Sequence, residues 1–342
     1  MAAIDADAHV HETERTWEYM DGSDRQFQPQ VVKLPNPSGD GARDWWVIDG
    51  RLQPKEENIG HEASRAQREM LDVEGRLRHM DELNVDLQVI YPTIFLRPLT
   101  ARPEVEVALC RSYNRWLSDI WAQGHGRLLW AVVPPVLAID EALAEIRRGK
   151  EHGACAVFLR GLEAERRLVD PYFYPIYEES SRLNMPIGIH SGTNSYAVYD
   201  FFDQEPGFCK FKLAVVGAFH SLVFSEVPAL FPNLRWGIIE VSAQWLPYVV
   251  HDLARRFARR GKELPKDLLG ATNTYVACQT DDDLDYIIRY VGDDHLVIGT
   301  DYGHADTAAE IDALRRLRDQ GGVEPASIDK ILDKNARVLY GL

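Results

Sequence analysis

Eight short apolar, β-branched runs recur along the chain, separated by stretches whose apolar residues fall at helical spacing. The runs cover residues 3–10, 87–92, 128–135, 155–161, 186–192, 235–241, 274–280 and 296–302. Between them lie segments such as "REMLDVEGRLRHMDELN", "EVEVALCRSYNRWLSDIWAQG" and "IDEALAEIRRGKEHG". "DDDLDYIIRYVG" also reads as a helix. It has acids in its first turn, an apolar face of Leu284, Ile287, Ile288 and Val291, and Gly292 to stop it. Strands that alternate with helices pair in parallel. Eight such units predict an α/β fold, a (β/α)8 TIM barrel, as one domain over residues 1–342.

One segment breaks this rhythm. From Glu12 to Gly60 the chain is rich in Pro, Gly and Asp, with Trp17, Trp45 and Trp46 among them. A loop that follows a barrel strand lies at the catalytic face, so this insert after the first strand is expected to form a lid or an oligomer contact. Three tryptophans argue against disorder. The C-terminal "EPASIDKILDKNARVLYGL" predicts one extra helix.

Composition narrows the partners. With 342 residues, 45% of them hydrophobic, the chain can bury a sizeable core. A formal charge of −15 opposes nucleic acid. No apolar run is long enough to cross a bilayer, and the N-terminus lacks a basic stretch followed by an apolar one. Cys110, Cys155, Cys209 and Cys278 have no CxxC spacing and are expected to be reduced thiols. Together these features predict a soluble cytoplasmic protein, to which the enzyme reading of its candidate site adds a small-molecule substrate.

The candidate chemistry begins with "IDADAHVHET". Asp5, Asp7, His9 and His11 occupy every second position, so on a strand they share one side. A solvated edge strand and a metal site both fit that spacing. In a barrel, active-site residues gather at the C-terminal ends of the strands. His190 ends "PIGIH", Glu240 ends "WGIIE", and Asp301 follows "LVIGT". Closure would bring these to one rim with the ladder. Imidazoles and carboxylates converging there suit a divalent ion with an open position for water or substrate.

The pieces "IDADAHVHE" with Trp17, "IHSG", "LFPNLRWGIIEVSAQWLPY" and "GTDYGHAD" follow one another in an order and spacing that resemble the amidohydrolase superfamily. The similarity is to the amidohydrolase-related branch that includes aminocarboxymuconate-semialdehyde decarboxylase. This resemblance implies a metal-bearing barrel and a homodimer or larger homo-oligomer. Aligning Ile4-Asp5 with the Ile-Asp that precedes the family's ligand pair implies Asp7 and His9 as first-strand ligands. His190 and Asp301 complete the set, and His11 is the alternate. "VVPP" and "FLRG" offer no lysine for a second metal, so one divalent ion is expected, Zn²⁺ first and Mn²⁺ second. Glu240 stands where the decarboxylases place a histidine.

Two chemistries share these ligands, with hydrolysis by metal-activated water as the leading reading and decarboxylation as the alternative. In hydrolysis, Asp301 would take a proton from metal-activated water and return it to the leaving group. In non-oxidative decarboxylation, an acid near Asp301 would protonate the carbon that loses CO₂. Glu240 favours hydrolysis in this comparison, with a structural carboxylate as its alternative. His220 and His304 are candidates for proton transfer, although His220 also fits a core position and His304 a helix cap. Arg160, which ends the fourth strand, suits a substrate carboxylate or a structural salt bridge. Trp17 and Trp245 suit a ring-bearing substrate, or simply packing. A catalytically silent binding barrel is the remaining alternative.

Overall fold

Strands buried on both faces need apolar side chains at nearly every position, and the eight runs satisfy that need. A computed structural model describes residues 3–35, 39, 41–319 and 321–342. The chain begins with β1 (Ile4–His9). The insert then adds β2 (Gln30–Pro35), β3 (Ala42–Ile48) and β4 (Arg51–Pro54). The barrel continues with β5 (Leu87–Tyr91), β6 (Leu128–Val132) and β7 (Ala154–Arg160). A two-residue hairpin, β8 (Leu162–Glu163) and β9 (Arg166–Arg167), follows β7. The last four barrel strands are β10 (Ile187–His190), β11 (Trp236–Ile239), β12 (Thr274–Cys278) and β13 (Leu296–Ile298).

The barrel strands form one parallel sheet in the order β1-β5-β6-β7-β10-β11-β12-β13. Closure comes just beyond β13. The Asp301 amide donates to the Asp7 carbonyl at 2.9 Å and the His9 amide to the Tyr302 carbonyl at 3.0 Å. The sheet is therefore a (β/α)8 barrel, as the alternation predicts. Gly299 is required at this seam, because a Cβ there would come within 2.3 Å of the Asp7 Cβ. Helices wrap the outside, and apolar residues from strands and helices make one contiguous core. The helix read from "DDDLDYIIRYVG" spans Leu284–Val291. Asp283 caps it by accepting from the Tyr286 amide, and Gly292 ends it at φ 81°.

The described residues of the insert form regular elements. Two 3₁₀ turns, Glu14–Tyr19 and Asp24–Phe27, lead into an antiparallel sheet, β2-β3-β4. Trp17 and Trp46 pack edge to face at 6.2 Å and anchor this unit on the barrel. The C-terminal helix runs Pro325–Asp329, Lys330–Lys334 and Asn335–Tyr340, its middle section a π-helical turn. Tyr340 closes the far side of the barrel by donating to the Ala6 carbonyl at 2.7 Å. Among the described residues no helix is long and apolar enough to cross a membrane, and the four cysteines are free thiols.

Candidate metal centre and substrate cavity

The ladder on β1 divides at its second rung. Asp5 accepts from the Thr300 amide at 2.8 Å, the Thr300 hydroxyl at 2.6 Å and Gln88 Nε2 at 2.9 Å. These bonds tie β1 to the segment after β13 on one side and to β5 on the other. Asp7 and His9, one and two rungs higher, face the axis at the rim. His9 Nε2 lies 3.4 Å from Asp7 Oδ1, 3.3 Å from Glu240 Oε2 and 3.3 Å from Asp301 Oδ1. His190 Nε2 is 3.1 Å from Asp7 Oδ1 and 3.2 Å from Glu240 Oε2. His304 Nδ1 is 2.7 Å from Asp301 Oδ1. Strand ends from opposite walls of the barrel thus meet at one point.

Both central imidazoles are oriented by backbone carbonyls. His9 Nδ1 lies 3.0 Å from the Pro92 carbonyl, and His190 Nδ1 lies 3.0 Å from the Ser191 carbonyl. A carbonyl only accepts, so each Nδ1 carries a proton and each Nε2 is aimed at the carboxylates of the centre. The carboxylates are placed by backbone strain. Glu240 (φ 64°) and Asp301 (φ 52°) both adopt the left-handed region, which costs a β-carbon-bearing residue on the order of 1 kcal/mol. Such strain persists where the surroundings dictate the conformation.

Burial makes this cluster costly without a cation. His9 and His190 are fully buried, and Asp7, Glu240, Asp301 and His304 nearly so. Burial pushes the Asp301 carboxyl far above the usual carboxylate range, reinforced by Glu240, Asp306 and Asp7. Glu240 is raised mainly by the same loss of water. Burial opposes a charge on His9, but Asp7 and Glu240 beside it hold the imidazolium up to about 10. For Asp7, burial is outweighed by His190 and His9, which keep its carboxyl ionised below the ordinary range. His9 Nε2, Glu240 Oε2, both Asp301 oxygens and His304 Nδ1 have no hydrogen-bond partner. Buried polar atoms are normally paired. Two overlapping quartets, Asp7-His9-His190-Glu240 and His9-Glu240-Asp301-His304, each place their ligand atoms within 4.8 Å of one another. This donor set fits a divalent ion.

A cavity of about 940 Å³ opens onto the cluster at Glu240. Its apolar wall includes Leu96, Phe208, Phe211, Val216 and Trp245, and its charged residues include Arg97, Lys210, Glu57 and Asp306. The insert contributes Glu57 and Asn58.

A family model described as Amidohydrolase matches residues 4–342. The chain belongs to the amidohydrolase family of enzymes. Its similarity to individual members is remote. A 2-amino-3-carboxymuconate-6-semialdehyde decarboxylase from Dictyostelium discoideum is 20% identical over 243 residues, 68% of this chain and 66% of that protein. The chain thus spans just under two thirds of that curated relative's length. An amidohydrolase from Mycobacterium avium subsp. paratuberculosis superposes with a TM-score of 0.77 at 22% identity, over 99% of both chains. A 5-carboxyvanillate decarboxylase from Novosphingobium aromaticivorans gives a TM-score of 0.72 at 17% identity, over 100% of this chain and 96% of that one. It was solved with manganese and 4-hydroxy-3-methoxy-5-nitrobenzoic acid.

Within this amidohydrolase, several expectations from the sequence are relocated. Arg160 is committed elsewhere: its Nη2 and Nε bind the two Glu163 oxygens at 2.7 and 2.8 Å, and its Nη1 donates to the Phe95 carbonyl at 2.7 Å. It is the structural salt bridge and has no donor fork left for substrate. His220 Nε2 pairs with Asp252 at 2.9 Å between two outer helices, outside the cluster and the cavity walls. Trp17 is fully buried against Trp46 and Phe95 and does not reach the cavity. Trp245 does line it. His11 lies beside the centre, its Nε2 donating to the Gly303 carbonyl at 2.8 Å, so it braces the loop that carries His304. Glu240, read as a proton carrier, stands among the potential ligands. Two further cationic residues of the cavity, Arg97 after a 3₁₀ turn and Lys210 in a π-helical turn, stand outside the strand ends that the sequence points to. The signal for Lys210 was a lysine enclosed by aromatics in "FCKFK".

Proposed function

We propose that this amidohydrolase is a metal-dependent carboxy-lyase that removes CO₂ from a small carboxylated aromatic or unsaturated acid. One observation carries the reading: unpartnered buried imidazole and carboxylate atoms converge at the edge of an aromatic-lined cavity that also holds cations. Asp7, His9, His190 and Asp301 would hold one divalent ion, Zn²⁺ first and Mn²⁺ second, with Glu240 beside them. The bound ion would supply charge to hold and polarise the substrate's carboxylate and its neighbouring oxygen. The protein's own groups do the rest. Aromatic walls seat the flat substrate. Asp301 presents two buried oxygens to the centre, Oδ1 beside His304 Nδ1, so one can serve as ligand while the other hands a proton to carbon. The carbon–carbon bond breaks, its electron pair stays on the ring carbon, that carbon takes the proton, and CO₂ leaves. His304, 2.7 Å from Asp301 through Nδ1 and 2.9 Å from the Thr93 hydroxyl through Nε2, is placed to position that proton. Decarboxylase relatives support this reading.

Hydrolysis is the second reading, and Glu240 favours it. A carboxylate within 3.3 Å of His9 Nε2 stands where it can accept a proton from an attacking water. Elemental analysis of the purified protein, followed by a carboxylic-acid panel read for CO₂ and an ester and amide panel read for acid release, tests both. About one equivalent of metal with CO₂ release is expected. Acid release alone selects hydrolysis, and a folded protein that takes up no metal overturns both. Cytoplasmic location and a homo-oligomer belong to the same proposal; light scattering on the eluted protein tests the second.

A further inference from the structure

The π-helical turn Phe208–Lys212 is inside out. Phe208 is 57% exposed, whereas Lys210 is only 8% exposed and lines the cavity. A lysine ordinarily keeps its ammonium in water. Here Nζ sits 4.9 Å from the Tyr199 ring centre and 5.6 Å from that of Phe211. Its hydrogen bond is a long one, 3.4 Å, to the Asp203 carbonyl. Among the described residues no carboxylate forms an ion pair with it.

The acids that share the cavity are engaged elsewhere. Glu57 pairs with Arg97 at 2.5 Å. Glu205 caps the backbone of the turn, accepting from the amides of Gly207 at 3.0 Å, Phe208 at 2.7 Å and Lys210 at 3.4 Å, and makes no ion pair with the Lys210 ammonium. Asp306 accepts from Asn58 Nδ2 at 2.8 Å and the Ala308 amide at 2.7 Å. Glu240 belongs to the metal cluster. A buried cation without an anion is costly unless a ligand brings one.

We infer that Lys210 is the anchor of a second anionic subsite, which receives a carboxylate of the substrate remote from the one at the metal centre. The preferred substrate is then a dicarboxylate on a flat or unsaturated frame. This rests on the cavity being the substrate site, as proposed above. The buried Lys210 ammonium matches one monoanion, and the aromatic rings around it strip water from the pair and strengthen it.

Calorimetric titration of the purified protein with isophthalate and with benzoate tests the subsite without requiring turnover. Isophthalate is expected to bind about tenfold more tightly, the gain of one charge-assisted hydrogen bond. Lys210→Met should abolish that preference while leaving benzoate within about twofold, and Lys210→Arg should restore part of it. Equal affinities in the wild type, no binding of either probe at millimolar concentration, or a preference that survives in Lys210→Met would overturn the assignment. Should the methionine variant misfold, the wild-type comparison decides alone. A dicarboxylate preference in a protein that releases no CO₂ would keep the subsite and sink the reaction. CO₂ release with no such preference would do the opposite.

Discussion

Asp5 and Asp7 stand two residues apart on β1, and both are buried, yet they belong to different kinds of polar cluster. Around Asp5, acceptors meet donors: Thr300 and Gln88 supply three hydrogen bonds, and Gln88 in turn accepts from buried Arg76 at 2.8 Å. Around Asp7, carboxylates and imidazoles face one another, and atoms on His9, Glu240, Asp301 and His304 are left unpartnered. In the first cluster the carboxylate itself is satisfied by protein donors alone. The second becomes complete only with a cation. A site is thus marked less by its residue types than by what those residues lack.

The sharpest way to break this contrast is to remove one member from each cluster. His190→Ala or Asp301→Ala should lose most of the bound metal and cut turnover on the order of a thousandfold, with the fold retained by circular dichroism. Asp5→Ala should do the reverse. It leaves Thr300 and Gln88 without their acceptor and should cost on the order of 3 kcal/mol in chemical denaturation, while metal content per folded molecule stays near that of the wild type. If Asp5→Ala emptied the metal site at unchanged stability, the division of the ladder would be wrong. A milder perturbation is to withdraw the ion. Bound metal at a hundredfold excess over its dissociation constant stabilises the native state by about 2.7 kcal/mol. A chelator should therefore lower the melting temperature of the wild type but leave His190→Ala unmoved.

The barrel was legible because strands buried on both faces produce apolar runs that polar and glycine-rich junctions delimit. All eight predicted runs became barrel strands, and the residues at their ends, His9, His190, Glu240 and Asp301, converge as the topology requires. The insert's sheet was not legible. Its strands are largely half-exposed, as the pattern of β2 shows, so no clean alternation betrays them. Nor could spacing separate Asp5 from Asp7, since the difference resides in Thr300 and Gln88, hundreds and tens of residues away. Arg160 had a clue within reach: Glu163 lies three residues on, where the hairpin β8–β9 turns it back onto the guanidinium. His220 had none, because its partner Asp252 is set by the packing of two helices.

The smallest effect concerns a third buried acid, Glu106, which resolves its charge in another way. Its Oε2 accepts from the Leu137 amide at 2.7 Å. Burial pushes its carboxyl from the ordinary 4.5 up to about 7, although Leu137 and Arg160 oppose the rise. Lacking a cation to complete it, this acid is relieved by a proton. A folded-state value above the unfolded one means stability that is full below about pH 4.5 and lost as pH rises through about 7. Glu106→Gln keeps a carbonyl oxygen for Leu137 and removes the charge. Its unfolding free energy should match the wild type near pH 4.5 and exceed it above pH 7, by on the order of 2 kcal/mol. Metal should leave that gap unchanged, because the ion completes the rim cluster and not this site. A gap that closed when metal was added would mean that the two buried acids report on one network, and the contrast drawn from β1 would fail.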